Sequence, residues 1–97
     1  PYWTRASTFL GTRISAIGVA PSDSNRVYAG TQTGPVFTTN IATTAISTTV
    51  WSSSAPRTGS NFVSWVAVHP TDPLTAFATV STFNSGVNVG HVFKTVN

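Results

Sequence analysis

The sequence predicts an all-β chain made of two successive four-stranded antiparallel sheets, and three observations carry that expectation. Charge is scarce, serine and threonine take its place, and the first half of the chain recurs in the second. Of 97 residues, five are Lys or Arg and two are Asp or Glu, so only 7% are charged. An average soluble domain has about a quarter of its residues charged. Lys and Glu, the usual residues of exposed helix surfaces, are nearly missing, whereas the β-branched side chain of Thr packs well on a pleated sheet. No helix is expected anywhere.

The recurrence sets the elements in order. Ile14-Ser-Ala-Ile-Gly-Val-Ala-Pro-Ser-Asp23 lies over Val63-Ser-Trp-Val-Ala-Val-His-Pro-Thr-Asp72 at a separation of 49 residues (14 and 63, 23 and 72). In the first strand Ile14, Ala16, Gly18 and Ala20 alternate with Ser15, Ile17 and Val19, so both faces are apolar or small. That composition suits a strand sandwiched between two neighbouring sheets, and it makes this strand the innermost of its unit. Pro21-Ser-Asp-Ser-Asn25 and Pro70-Thr-Asp-Pro73 then read as turns, because Pro fixes φ and Asp accepts from the amides that follow it. The second strand centres on Tyr28 or Phe77. The third is Val36-Phe-Thr-Thr39 or Val92-Phe-Lys-Thr95, and the fourth opens at Trp51.

Trp3 and Trp51 are 48 residues apart and extend the register to an amino-terminal outer strand over 2–5. Their recurrence reads as packing. Four strands in about 48 residues is the size of a β-propeller blade. The chain is therefore expected to be a single two-blade segment, 1–97, with blades over about 6–54 and 55–97. Two blades cannot close on themselves. Each end of such a segment presents an apolar sheet face and an open edge, to be covered by the remaining blades of a parent chain or by identical copies arranged head to tail.

The run from Ile14 to Thr31, followed by Gly34-Pro-Val-Phe-Thr-Thr-Asn40 and Trp51, resembles the BNR/Asp-box propeller repeats of bacterial glycosyl-hydrolase-like proteins. The second unit, with Phe83-Asn-Ser-Gly86 and Gly90-His-Val-Phe-Lys-Thr95, is the closer of the two. The box of that family, Ser-x-Asp-x-Gly-x-Thr-Trp, is degenerate here. Thr39-Asn40 stands for Ser/Thr-Asp, the glycines are absent, and an Ile-Ala-Thr-Thr-Ala-Ile-Ser-Thr-Thr stretch separates Asn40 from Trp51. The resemblance implies a carbohydrate as substrate or ligand of a parent protein. With the Ser/Thr-rich, Lys-poor composition, it also implies a secreted or cell-surface bacterial setting.

Few side chains offer chemistry. A family hydrolase would cut with paired carboxylates, but Asp23 and Asp72 occupy the same turn of successive repeats and read as turn formers. Sialidases of this group use arginines with a tyrosine nucleophile, a part that Arg13, Arg26 and Tyr28 would have to play. Tyr28 aligns with Phe77, so it reads as core. His69 and His91 have no acid or nucleophile at motif spacing and read as histidines bonded to backbone or water. No catalytic residue is assigned, and no cofactor or metal is expected, since there is no cysteine and no metal-ligand spacing. The net charge of +3 comes from scattered residues, so neither nucleic acid nor membrane is an expected partner.

One segment breaks the repeat: Thr82-Phe-Asn-Ser-Gly-Val-Asn-Val-Gly90. Loops that depart from a rigid scaffold are where binding is commonly placed. Phe83 and Asn84 would offer a sugar ring an aromatic face and an amide, and Trp65, which replaces Ala16, and His91 complete the candidate ligand set, against a first reading of Phe83 as tucked on its own blade and of Trp65 as filling space near the propeller axis or an interblade seam. Three functions follow as expectations. The first is a non-catalytic scaffold or carbohydrate- or protein-binding propeller module. The second is a fragment of a glycoside hydrolase whose acids lie in other blades. The third is a two-blade unit that forms a homo-oligomeric ring.

Overall fold

The computed structural model describes residues 3–57, 59–81 and 91–96. Seven strands follow in order: β1 (Ile14–Ala20), β2 (Asp23–Thr31), β3 (Val36–Thr39), β4 (Ser52–Ser54), β5 (Val63–Val68), β6 (Ala76–Val80) and β7 (Val92–Thr95). A short 3-10 helix, Ala42–Thr44, lies between β3 and β4, and it is the only helical element among the described residues. Strands β1-β2-β3-β4 form one antiparallel sheet and β5-β6-β7 a second. Over the described residues the protein is all-β, with sheets of four and three strands.

The repeat holds residue by residue. In the first sheet Ala16 pairs with Gly30, Ile17 with Ala29, Gly18 with Tyr28 and Val19 with Val27. In the second, Trp65 pairs with Thr79, Val66 with Ala78, Ala67 with Phe77 and Val68 with Ala76. Every one of these partners is displaced by 49 (16 and 65, 30 and 79). Even the irregularity recurs, between Ile14 and Ala16 in one sheet and between Val63 and Trp65 in the other. The third strands follow at a separation of 56 (36 and 92, 39 and 95), with Tyr28 opposite Thr38 and Phe77 opposite Lys94. The difference between the two separations is the length inserted after β6.

Two expectations are corrected. The second sheet has three described strands instead of four, because the third-strand separation places the counterpart of Ser52–Ser54 at positions this sequence does not contain. No strand forms over residues 3–5. That part of the chain runs beside the approach to β4: Thr8 N–H donates to Thr49 O at 3.0 Å, and Trp51 Nε1–H donates to Ala6 O at 2.9 Å. Trp3 is 99% exposed, so the recurrence of tryptophan does not mark packing at that position.

Side-chain alternation gives each sheet two faces, called here front and back. The front of the first sheet carries Ala16, Gly18, Tyr28, Gly30, Val36 and Thr38, and its back carries Ile14, Ile17, Val19, Val27, Ala29 and Phe37. By the same pairing, the front of the second sheet carries Trp65, Ala67, Phe77, Thr79, Val92 and Lys94. Its back carries Val63, Val66, Val68, Ala76, Ala78 and Phe93. The core lies between the front of the first and the back of the second: Tyr28 packs with Val63, Val66 and Ala76, flanked by Ala16, Val36, Val68 and Ala78.

Two glycines permit that approach. A Cβ on Gly30 would stand 2.4 Å from Val63 Cγ1, and one on Gly18 would stand 3.0 Å from Val66 O. Gly in a strand here marks close approach of a second sheet, since it leaves room where any side chain would collide. Farther out, where β3 faces β7, the sheets part into a cleft of about 180 Å³ lined by Tyr28, Val36, Thr38, Val66, Ala78 and Phe93.

Candidate functional site

Two ends of the sheets carry the polar chemistry. At the first, each unit turns from its first strand into its second, and both turns are built on an aspartate. Asp23 Oδ1 accepts from Asn25 N–H at 3.0 Å, and Asp72 Oδ1 accepts from Leu74 N–H at 3.0 Å, again 49 positions apart (23 and 72). Asp72 does more: its Oδ2 accepts from Thr75 Oγ1 at 2.7 Å. The Thr75 hydroxyl first and then the Leu74 amide hold the Asp72 carboxyl below its ordinary range, against an opposing effect of desolvation, with a lesser contribution from the neighbouring His69. A carboxyl so held stays ionised and is no proton donor near neutral pH.

His69 belongs to the same turn. Its Nδ1 accepts from Thr71 N–H and Asp72 N–H, both at 3.1 Å, which assigns the ring proton to Nε2. The ring replaces a side-chain cap, at the position where the first unit has buried Ala20. Across the seam, Tyr28 Oη donates to Pro73 O at 2.8 Å and lies 3.3 Å from Arg26 Nε, whose guanidinium sits 5.3 Å from the Tyr28 ring centre. Tyr28 is a buried link between the sheets. Arg13 precedes β1, at the far end of the first sheet from Arg26, so the Arg13, Arg26 and Tyr28 grouping does not assemble.

The opposite end carries the longer connections. Thr31 Oγ1 donates to Pro35 O at 2.7 Å and accepts from Gly34 N–H at 3.1 Å, closing the link from β2 to β3. Gly34 has φ of 124°, a conformation that side chains disfavour. Asn61, buried before β5, ties this link to the connection from β4. Its N–H donates to Thr33 O at 3.2 Å and its Nδ2 to Gly59 O at 3.0 Å, while Oδ1 accepts from Arg57 Nε at 2.8 Å. Among the described residues, no buried side-chain nitrogen or oxygen lacks a hydrogen-bond partner.

The candidate ligand residues fall at this end. His91 follows the connection from β6 to β7, and its N–H-bearing Nδ1 lies 3.0 Å from Val80 O. A carbonyl only accepts, so the proton is on Nδ1 and Nε2 remains an acceptor. Trp65, on the front of the second sheet, lines up across the strands with Thr79 and Val92 and is 67% exposed. It fills no interior space. The structure thus sets Trp65 and His91 at one end of one sheet; Phe83 and Asn84 lie outside the described residues.

Asn61 is the polar residue of this end that the sequence reading missed, because a lone Asn in an Arg-Thr-Gly-Ser-Asn stretch looks like an ordinary solvated loop. The glycines at 18 and 30 were a usable signal, since both fall on one face of adjacent strands. Comparison with protein-family models, with curated proteins and with solved structures finds no match to this chain.

Proposed function

We propose that the chain is a non-catalytic segment of a BNR/Asp-box type β-propeller, a scaffold that holds a carbohydrate-binding end in place. The observation that supports it most is the repeat itself: two sheets of identical register stacked front to back, as consecutive blades stack. The gap between the sheets widens away from β1 and β5, as it does between blades arranged around an axis. Non-catalytic use follows from the carboxylates. Asp23 and Asp72 are both committed to backbone turns, and neither lines the cleft between the sheets.

The ligand falls to the end with the irregular connections, where Trp65 offers an exposed aromatic face and His91 a ring acceptor. Neutral sugars fit this chemistry, since rings stack on aromatic faces and hydroxyls bond to imidazole. A glycan array probed with the purified chain tests the reading, with release of nitrophenol from aryl glycosides as a second readout. The expected result is retention on a subset of glycans, weakened at least tenfold in Trp65→Ala and in His91→Ala, with no hydrolysis. Binding to no glycan, or turnover of an aryl glycoside, overturns it.

A further inference from the structure

We propose that the two outward faces of the molecule are the two halves of one head-to-tail interface, and that their occupant is a second copy of this chain. The seam inside the molecule joins a front to a back. What remains exposed is the other back and the other front. The exposed part of that back is its β1 margin, with Ile14, Ile17 and Val19, while Val27 and Ala29 beside it are buried; the counterparts Val63, Val66 and Val68 line the internal seam. The exposed front presents Ala67 and Phe77, the counterparts of Gly18 and Tyr28. The exposed part of each outer face therefore has the register and apolar character of residues that already pack in the internal seam.

Chemistry favours a copy over an unrelated partner. Ile17 is 65% exposed and Phe77 40%, and the exposed back carries no charged residue. On the exposed front the one charge is Lys94, in the third strand, where the internal seam is already parted. A long basic side chain there reaches solvent while its stem stays covered.

The copy-to-copy seam is not a duplicate of the internal one. Gly18 and Gly30 are replaced by Ala67 and Thr79, and the residues they would receive are Ile14 and Ile17 in place of Val63 and Val66. Both sides are bulkier, so the sheets stand farther apart.

A front-to-back contact is heterologous, so it propagates until the rotation per sheet closes a ring. Propellers of about four to eight sheets correspond to two to four copies of a two-sheet unit. The proposal rests on the propeller reading above for that closure, and the two fail separately: glycan retention reports on the binding end, and mass reports on the faces.

Sedimentation equilibrium of the intact chain from micromolar to near-millimolar concentration tests it. The expected masses are two to four times 10.2 kDa. Two exposed-face variants then fix the direction, Ile17→Lys on the back and Ala67→Lys on the front. Each alone is expected to be monomeric, because each has lost one half of every contact. Mixed one to one, they are expected to form a dimer and nothing larger, since a single sound front then meets a single sound back. Formation of that dimer also shows that both variants fold. A wild-type monomer throughout overturns the proposal. So does an Ala67→Lys chain that still dimerises, which would mean back-to-back contact, or a mixture that stays monomeric while each variant keeps the wild-type circular dichroism spectrum.

Discussion

Gly30 shows what a single missing Cβ does for this fold. Replacing glycine by alanine within a strand gains about 0.5–1 kcal/mol through the unfolded chain. Here the new carbon would stand 2.4 Å from Cγ1 of Val63, a fully buried and stiff side chain, and overpacking of that kind costs about 1–3 kcal/mol. The clash outweighs the gain, so Gly30→Ala is expected to lower the urea midpoint. Gly18→Ala meets Val66 O at 3.0 Å and Cγ1 at 3.2 Å, a gentler contact, and is expected to lower it less. Equal or reversed effects would contradict the close approach at Gly30. At the other end of the sheets, Asp72 makes stability depend on pH. Its carboxyl is held below the usual value by Thr75, Leu74 and His69, so its contribution is present above the unfolded value near about 4 and is lost as pH falls through the lower folded one. Asp72→Asn is expected to flatten the acid limb of a stability profile while leaving the slope near neutrality unchanged.

At the scale of elements, the connection from β4 to β5 is fixed by Asn61. Truncation by Asn61→Ala removes the buried amide that joins Arg57 Nε to the carbonyl of Gly59, although half-buried Arg57 and exposed Gly59 can still reach water. A hydrogen bond whose remaining partner can turn to water contributes about 0.5–1.5 kcal/mol, so denaturant unfolding should register a drop of that size. Asn61→Asp keeps the acceptor for Arg57 but not the Nδ2 donor to Gly59 O, and is expected to fall between. The strands around this loop were legible because their pattern is local. Ile14 to Ala20 and Val63 to Val68 show apolar residues on both faces, and the turn aspartates sit at matching positions. Trp3 misled for the opposite reason. Its recurrence with Trp51 is a pattern in sequence only: β4 holds the outer place beside β3, and Trp3 stands almost fully exposed. Asn61 was illegible because its burial depends on the 31–35 link, some 30 residues earlier in the chain, folding against it.

At the scale of the whole molecule, cohesion comes from one cluster. Tyr28 from the first sheet and Val63, Val66 and Ala76 from the second make the core between the sheets, while the outer back of the first sheet buries only the small Val27 and Ala29 among the described residues. A three-stranded sheet with one bare apolar face is marginal alone, so the two sheets should lose structure together, as neighbouring repeats do when the interface term dominates. Val66→Ala tests this from one side of the seam. It removes the equivalent of two methylene groups at about 0.8 kcal/mol each, and the space left beside Gly18 and Tyr28 adds a cavity term, for about 2–3 kcal/mol in total. Stability of a chain this size is only about 5–15 kcal/mol, so the effect is large enough to read by hydrogen exchange. The expected outcome is an equal fall in amide protection in β2 and β6, although the substitution lies in β5 and β2 belongs to the other sheet. A fall confined to β5, β6 and β7 would mean that the first sheet holds itself together, and the seam would then be a contact between finished units and not the core that makes them fold.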